Sequence, residues 1–432
     1  MKKILGEIFK GEHLLSFSII FILALPAYSC CSPGNETGMY YFSGAPSRET
    51  LEAYLSRAIT MSDLFQDDNE TLDMNMPEAI RMITNIGAKF LGRVVFIYTN
   101  EQRILNVLDW TRKHCSEIHN ADPEIVIQAA IFEIITPSVE NVSIPGWVFA
   151  AFGMAEESRN FIYDDMLFDA DGDFPNNINA FGEGLSVPDI TKRETQLWHY
   201  YLAASYIDAG IEAIHLGIFE WVTEADGNKQ ETEKLLTLIR NYAGTHARRK
   251  WIFLDAHTHG ELFKRSDNLL LDFHSAPLIP HDGDGEELPG DEGIGGVILK
   301  MGYLNSIYGR SAGGTAPAGW SCDSLPYLAE FDHGYSYGSI EANTEDNFVL
   351  GYDEITWFAE TLSKTERDAF LRYADNWIKE NDANGHLQMP GLRSIWVNFE
   401  GHDEDFYYAN SSDSFHKGSD QEAVIKEIWN DQ

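Results

Sequence analysis

Cysteine is scarce in this chain, with four in 432 residues. Two are adjacent, Cys30 and Cys31, and the other two stand alone at Cys115 and Cys322. This excludes a disulfide-stapled scaffold and a cysteine-ligated zinc site, both of which need clustered or regularly spaced cysteines. Cys115 and Cys322 can pair in an oxidising compartment or remain buried thiols. Basic residues are also few: 31 Lys and Arg stand against 68 Asp and Glu, a formal charge of -37. Such a chain repels phosphate backbones and anionic membrane surfaces, so no nucleic acid partner is expected. The apolar segment Leu14 to Leu25 is too short for a membrane span, which needs about 20 residues. Neither a repeat of fixed period nor a long low-complexity segment is present, so no solenoid and no second globular domain is called for.

What is present begins with an export pattern. Lys2, Lys3 and Lys10 precede the Leu14 to Leu25 segment, and small residues follow it. The segment ends Leu-Pro-Ala-Tyr-Ser-Cys-Cys, which resembles a bacterial lipoprotein signal. That resemblance implies lipidation of Cys30, leaving residues 1–29 as a signal peptide and the cell envelope, periplasmic or outer-membrane and cell-surface, as the location. A membrane contact is expected only through this anchor. Residues 30–47, with their Gly, Ser, Pro and Asn, read as a tether. Residues 48–432 are then left as a single catalytic domain, and 44% hydrophobic residues are ample for its core.

The stretch Gly210 to His259 sets the architecture. Gly-Ile-Glu-Ala-Ile-His-Leu-Gly-Ile-Phe-Glu220 and Trp-Ile-Phe-Leu-Asp-Ala-His-Thr-His259 are two apolar runs that end in ionisable residues. Between them, Thr232 to Ala247 has the length and spacing of one amphipathic helix, giving a strand, helix, strand unit. The same alternation recurs along the chain. Helical patterns cover Arg48 to Phe65, Met76 to Phe90, Gln102 to His119, Glu194 to Ala209 and Thr365 to Glu380. Strand candidates fall near residues 95, 130, 216, 253, 271, 299, 349 and 388. Eight strands with interleaved helices predict a (β/α)₈ TIM-type barrel with long loops at its C-terminal face. The long irregular region Pro137 to Pro188 fits a cleft wall. Its Asp169-Ala-Asp-Gly-Asp173 run lacks the glycine and terminal Glu of a calcium loop and reads as a solvated acidic turn.

In such a barrel, residues at strand C-termini share one mouth. Glu133, Glu220, Asp255, Asp272 and Asp353 are placed to project there. Several carboxylates in an aromatic-rimmed cleft suit glycoside hydrolysis, in which one acid protonates the leaving oxygen and a second attacks the sugar or activates water. In these respects the chain resembles the secreted (β/α)₈ glycoside hydrolases of polysaccharide-degrading bacteria. The resemblance implies a carbohydrate substrate, no cofactor, and a strand-end Glu as acid or nucleophile. Glu220 is the leading catalytic candidate, with Asp255 and Glu133 as partners. Trp221, His257, Asp272, His274, Trp320, Asp353 and Trp357 are expected to line the cleft.

Asp255, His257 and His259 alternate along one strand and so face one way. His-x-His at this place resembles the metal-binding pair of amidohydrolases, which would make a metal-bound water the nucleophile. Asp272 and His274 repeat the alternation on the next strand and would complete such a site. A glycan-binding lipoprotein without catalysis is the third expectation, because a barrel can keep its fold without activity.

Overall fold

The computed structural model describes residues 38–65, 75–258, 263–282, 294, 296–299, 313–332, 354–398, 403–412 and 418–431. Eight parallel strands follow the chain around a ring: β1 Ala58–Met61, β2 Phe90–Val95, β3 Val126–Ala130, β4 Ala213–His215, β5 Phe253–Asp255, β6 His274–Pro277, β7 Tyr327–Glu330 and β8 Gly385–Asn398. Each strand pairs with its sequence neighbours, and Ile59 of β1 pairs with Met389 of β8. Between β5 and β6 the ring is held by a parallel bridge from His257 to Ser275 and by the Ser275 amide donating to the Ala256 carbonyl at 3.1 Å. This is the expected (β/α)₈ barrel. A ninth strand, Asp403–Tyr408, runs antiparallel to β8 outside the ring.

Strand alternation sorts the side chains into two cores. Ile59, Leu91, Ile127, Ile214, Leu254 and Leu387 face outward and pack against the helix layer. That layer comprises α2 Met76–Ile86, α3 Ile104–Ala121, α5 Arg193–Asp208, α7 Gln230–His246, α9 Lys364–Asn381 and α10 Glu422–Asn430, with the short helices α4 Gly146–Ala151 and α8 Glu354–Thr356 between them in the chain. Ala58, Phe90, Val126, Ala213, Phe253, Phe273 and Leu328 point inward near the strand N-termini and form a separate apolar floor. The floor is closed by Leu51, Tyr54 and Leu55 of α1 (Arg48–Leu55) and by Phe42, whose ring lies 5.4 Å from Phe253.

Several expectations are corrected here. Phe42 and Tyr40 belong to the fold and not to a tether, and the Gly44 amide donates to the Arg249 carbonyl at 2.8 Å. The helix expected over Arg48 to Phe65 ends at Leu55 and gives way to β1 within a few residues. The run near 299 is not a barrel strand: Val297–Ile298 pairs antiparallel with His281–Asp282. The run near 349 lies outside the described residues. Their places in the ring are taken by β1 and β7, short strands of four residues each. Cys115 and Cys322 are both free, and burial pushes each thiol pKa up. Among the described residues no helix is long and apolar enough to cross a membrane.

Candidate active site

Above the apolar floor the barrel lumen turns polar. Alternation carries Gln128, His215, Asp255, Ser275, Glu330 and Gln388 inward from β3, β4, β5, β6, β7 and β8, and all are buried. One step further toward the strand C-termini stand Arg93, His257, Asp332 and Arg393. Buried charges are tolerated only when paired, and these are.

Arg93 is the hub of the pairing. Its Nη2 lies 2.6 Å from Glu330 and its Nη1 2.7 Å from Asp332. Asp332 also contacts the Arg393 guanidinium, whose other nitrogen donates to Ser62 at 3.0 Å. Arg93 reaches this position through a bulge, where the β2–β3 register jumps between Leu91 and Val95. Its backbone is left-handed at φ 55, a conformation costing a non-glycine residue roughly 1–2 kcal/mol. The preceding Gly92 allows the lumen to close, because a Cβ there would lie 2.1 Å from Gln388 Nε2.

His257 bonds Glu330 through Nε2 and lies 3.4 Å from Asp332. Burial lowers its pKa, but the two carboxylates outweigh burial and the net shift is upward. Beneath it, Asp255 accepts from Gln128 Nε2 at 2.7 Å and Ser275 Oγ at 2.9 Å, and its other neighbour is His215 Nδ1 at 2.8 Å. Burial holds the Asp255 carboxyl up to about 7 and drives His215 well below its ordinary value. Because the folded state keeps the Asp255 proton that an unfolded carboxyl sheds near 3.8, the stability from this group is present below that value and lost as pH rises toward 7. The stability of the wild type relative to Asp255→Asn is therefore expected to fall between roughly pH 4 and 7 and to be level above. Urea titrations of both proteins across that range check it, and a constant difference would refute it.

Glu133 stands three residues beyond β3, at the mouth. Its carboxylate accepts from the Ile218 amide at 2.9 Å, and burial raises its pKa. His257 and Asp332 are close enough to act on its charge. Gly217 makes room for it: φ is +59, and a Cβ would lie 2.1 Å from Glu133 Oε2. Gly217→Ala is expected to displace this carboxylate and reduce activity about 10²-fold, as misplacement of a reacting group does. A steady-state assay with a thermal melt as control tests this, and a change below threefold (order of magnitude) would contradict it. Beside Glu133 a ring cluster forms, with Phe132 at 5.0 Å from Phe96 and 5.9 Å from Tyr98.

Of the residues expected from sequence, the structure brings Asp255, His257 and Glu133 together. Glu220 lies on the one-turn helix α6 Phe219–Val222 as a charge neighbour of Lys229. Trp221 is partly exposed and packs on Phe181 at 5.6 Å. Asp272 and His274 share a face, but it is the outer one. Asp272 pairs with Arg240 of α7 at 2.9 Å, and His274 packs on Tyr327 at 5.1 Å. Burial lowers the His274 pKa to about 4. Trp357 is fully buried against Phe370. Trp320 packs partly against the floor, with the Arg48 guanidinium 5.9 Å from its ring, at the opposite end from the mouth. The Asp169 turn is exposed and bonds Lys192. Asp353, His259 and Cys30 lie outside the described residues.

Sequence reasoning missed Arg93, Gln128, His215, Glu330, Asp332 and Arg393. For two of them a signal was available. Leu-Ala-Glu330-Phe-Asp332 has the same form as Phe-Leu-Asp255-Ala-His257, an apolar run ending in two alternate ionisable residues.

Three of these side chains are close enough together to be weighed as metal ligands. Single ligand atoms of His257, Glu330 and Asp332 lie within 4.8 Å of one another. However, both Asp332 oxygens and one of Glu330 are already engaged by guanidinium groups. Asp255, in the layer below, has its oxygens taken by Gln128, Ser275 and His215. A cation here would share these carboxylates with two guanidinium groups, and His259 of the His-x-His pair lies outside the described residues.

No family model matches the chain, and no curated protein does. Solved structures align with it over about half their own length. They include an α-galactosidase from Thermus thermophilus, at 12% identity and TM-score 0.30 over 55% of this chain and 48% of that one. Another is a trehalose-6-phosphate hydrolase from Bacillus licheniformis, at 12% and 0.33 over 51% and 49%. A third is a debranching enzyme from Nostoc punctiforme, at 10% and 0.34 over 55% and 53%. These neighbours in shape are glycoside hydrolases, and at such scores the likeness adds nothing to the barrel that the strand order already establishes.

Proposed function

We propose that the chain is an exported glycoside hydrolase that cleaves a neutral poly- or oligosaccharide by carboxylate acid/base catalysis. The observation carrying this reading is a divergence of environment within one mouth. Glu133 is buried and its carboxyl is pushed toward the protonated form, whereas Asp332 faces two guanidinium groups. A buried carboxyl and one held between guanidinium groups can divide into an acid and a base or nucleophile. Glu133 donates its proton to the leaving glycosidic oxygen. Asp332 attacks the anomeric carbon or removes a proton from the attacking water, and the anomer released distinguishes the two. Glu330 and Arg93 hold His257 and Asp332 in place. Asp255 braces His215 beside it in the layer beneath His257, and Glu220 receives no chemical role here.

The test is turnover over a panel of neutral glycans by the parent protein and by Glu133→Gln. Turnover by the parent that the variant loses supports the reading; no turnover of any glycan by the parent, or full turnover by the variant, rejects it. Export and lipidation rest on Lys2, Lys3, Lys10, the Leu14 to Leu25 segment and Cys30. Incorporation of labelled palmitate that disappears in Cys30→Ala supports them, and equal labelling of both proteins rejects Cys30 as the anchor.

A further inference from the structure

We propose that Phe96, Tyr98 and Phe132 form the sugar-binding wall of this site and take the apolar face of a neutral pyranose adjoining the bond that Glu133 protonates. The inference rests on the hydrolase reading for the position of the bond, but its physical basis is separate. Phe96 and Tyr98 follow β2 in the segment that leaves the strand, and both rings reach Phe132. Phe132, directly before Glu133, meets both rings edge to face, at 5.0 and 5.9 Å. On its other side Phe132 lies 6.2 Å from His215 and would touch a Cβ at Gly217. The wall therefore runs without interruption from Tyr98, which is 38% exposed, to the glycine on which the Glu133 carboxylate rests.

An exposed Tyr98 packed on the half-buried rings of Phe132 and Phe96, beside a charged layer, needs an account. A core role would bury Tyr98, whereas a binding wall leaves a face open. Sugar rings present CH-rich faces that such a surface desolvates, while their hydroxyls meet polar groups at the edge.

Charge selects the class of sugar. Arg93 is shared between Glu330 and Asp332, Arg393 faces Asp332, and His257 faces both acids. Beyond them, Lys229 donates to Thr223 and lies among Asp226, Glu220 and Glu224. Among these described residues every cation already has an acid for a partner. A uronic acid carboxylate entering here would lose its water without gaining an unshared cation, which is costly. A neutral pyranose meets no such penalty.

The experiment uses the mature protein carrying Glu133→Gln, so that binding is read without turnover. It is titrated calorimetrically with cello-, xylo-, manno-, laminari- and malto-oligosaccharides and with an oligogalacturonide. At least one neutral oligosaccharide is expected to bind and the oligogalacturonide to bind far more weakly. Tyr98→Ala and Phe132→Ala are each expected to weaken the neutral ligand about tenfold, the effect of losing one aromatic contact. Trp147→Ala, an exposed ring on the helix layer, is expected to leave binding unchanged. Tyr98 is exposed, so its variant stays informative if Phe132→Ala fails to fold. Unchanged affinity in Tyr98→Ala, tighter binding of the oligogalacturonide, or no binding by any member overturns the wall. Binding that the wall variants weaken, with no cleavage of any glycan by the unsubstituted parent, would reject the hydrolase and leave the wall standing. Cleavage with unchanged KM in both wall variants would do the reverse.

Discussion

Glu133→Gln is expected to lower kcat/KM by about 10²–10⁴, the range for loss of a positioned general acid, with the melting temperature nearly unchanged. Gln is nearly isosteric and keeps an oxygen to accept from the Ile218 amide, so the mouth keeps its shape. What it lacks is the acidic proton. Burial is the first cause of the raised Glu133 pKa, and Asp332 adds to it against the opposing pull of His257. Activity that depends on the protonated form is therefore present below this raised value and declines as pH rises through it. The variant should lose that basic limb of the pH profile. It should also lose less activity toward an aryl glycoside with a good leaving group, which departs with little help from an acid. Steady-state kinetics on a natural glycan and a nitrophenyl glycoside, each over a pH series, decide the matter. A loss below about threefold on both substrates (against the 10² lower bound) would remove Glu133 from the chemistry.

Arg93→Met is expected to destabilise the barrel by about 3–5 kcal/mol, the usual result of removing one partner from a buried ion pair. Arg93 is fully buried, and its two nitrogens hold acids that are themselves 2% and 8% exposed. Without the guanidinium, Glu330 keeps His257 and Asp332 keeps Arg393, but each has lost a charged partner at a largely buried position. Arg93→Gly relieves the left-handed strain of roughly 1–2 kcal/mol yet leaves the same acids short of a cation, so it should also destabilise. The triple change Arg93→Met, Glu330→Gln, Asp332→Asn should recover part of the loss, since apolar or neutral replacement of a whole buried network is often tolerated. Chemical denaturation of the four proteins measures this. A cost below about 1 kcal/mol for Arg93→Met (well under the 3–5 of a broken buried pair) would show that the acids do not depend on it.

The barrel was legible because most of its strands are apolar runs of some length bounded by turn signals. β1 and β7 were not, because four residues carry almost no periodicity and Ala58-Ile-Thr-Met61 follows a helix without punctuation. In the site, Asp255, His257 and Glu133 were legible as ionisable residues that an apolar run does not tolerate without use or partner. Asp272 and His274 carry the same local signal and misled, because the face is fixed by register with the neighbouring strand. The His257 to Ser275 bridge sends the even-numbered residues of β6 outward. Trp320 and Trp357 misled for a related reason: a tryptophan in a wall, a floor and a core has the same sequence. Arg93 had no local signal, since its place in the lumen depends on a left-handed backbone that nothing in Gly-Arg-Val-Val announces.

The pairing of Ile59 with Met389 sets the order of events during folding. The first strand finds its second neighbour only when almost the whole chain is present, and α10 then packs on α2 with Glu422 bonded to Arg81 and Asn85. Until that moment the growing sheet has two open edges and an uncapped polar lumen, the state in which strands pair with the wrong chain. Closure is thus a late, non-local step, and such steps are slow. A chain emerging from a ribosome therefore carries the free edge of its first strand until β8 has been made. Agents that shield open sheet edges should raise its folding yield more than agents that promote helices.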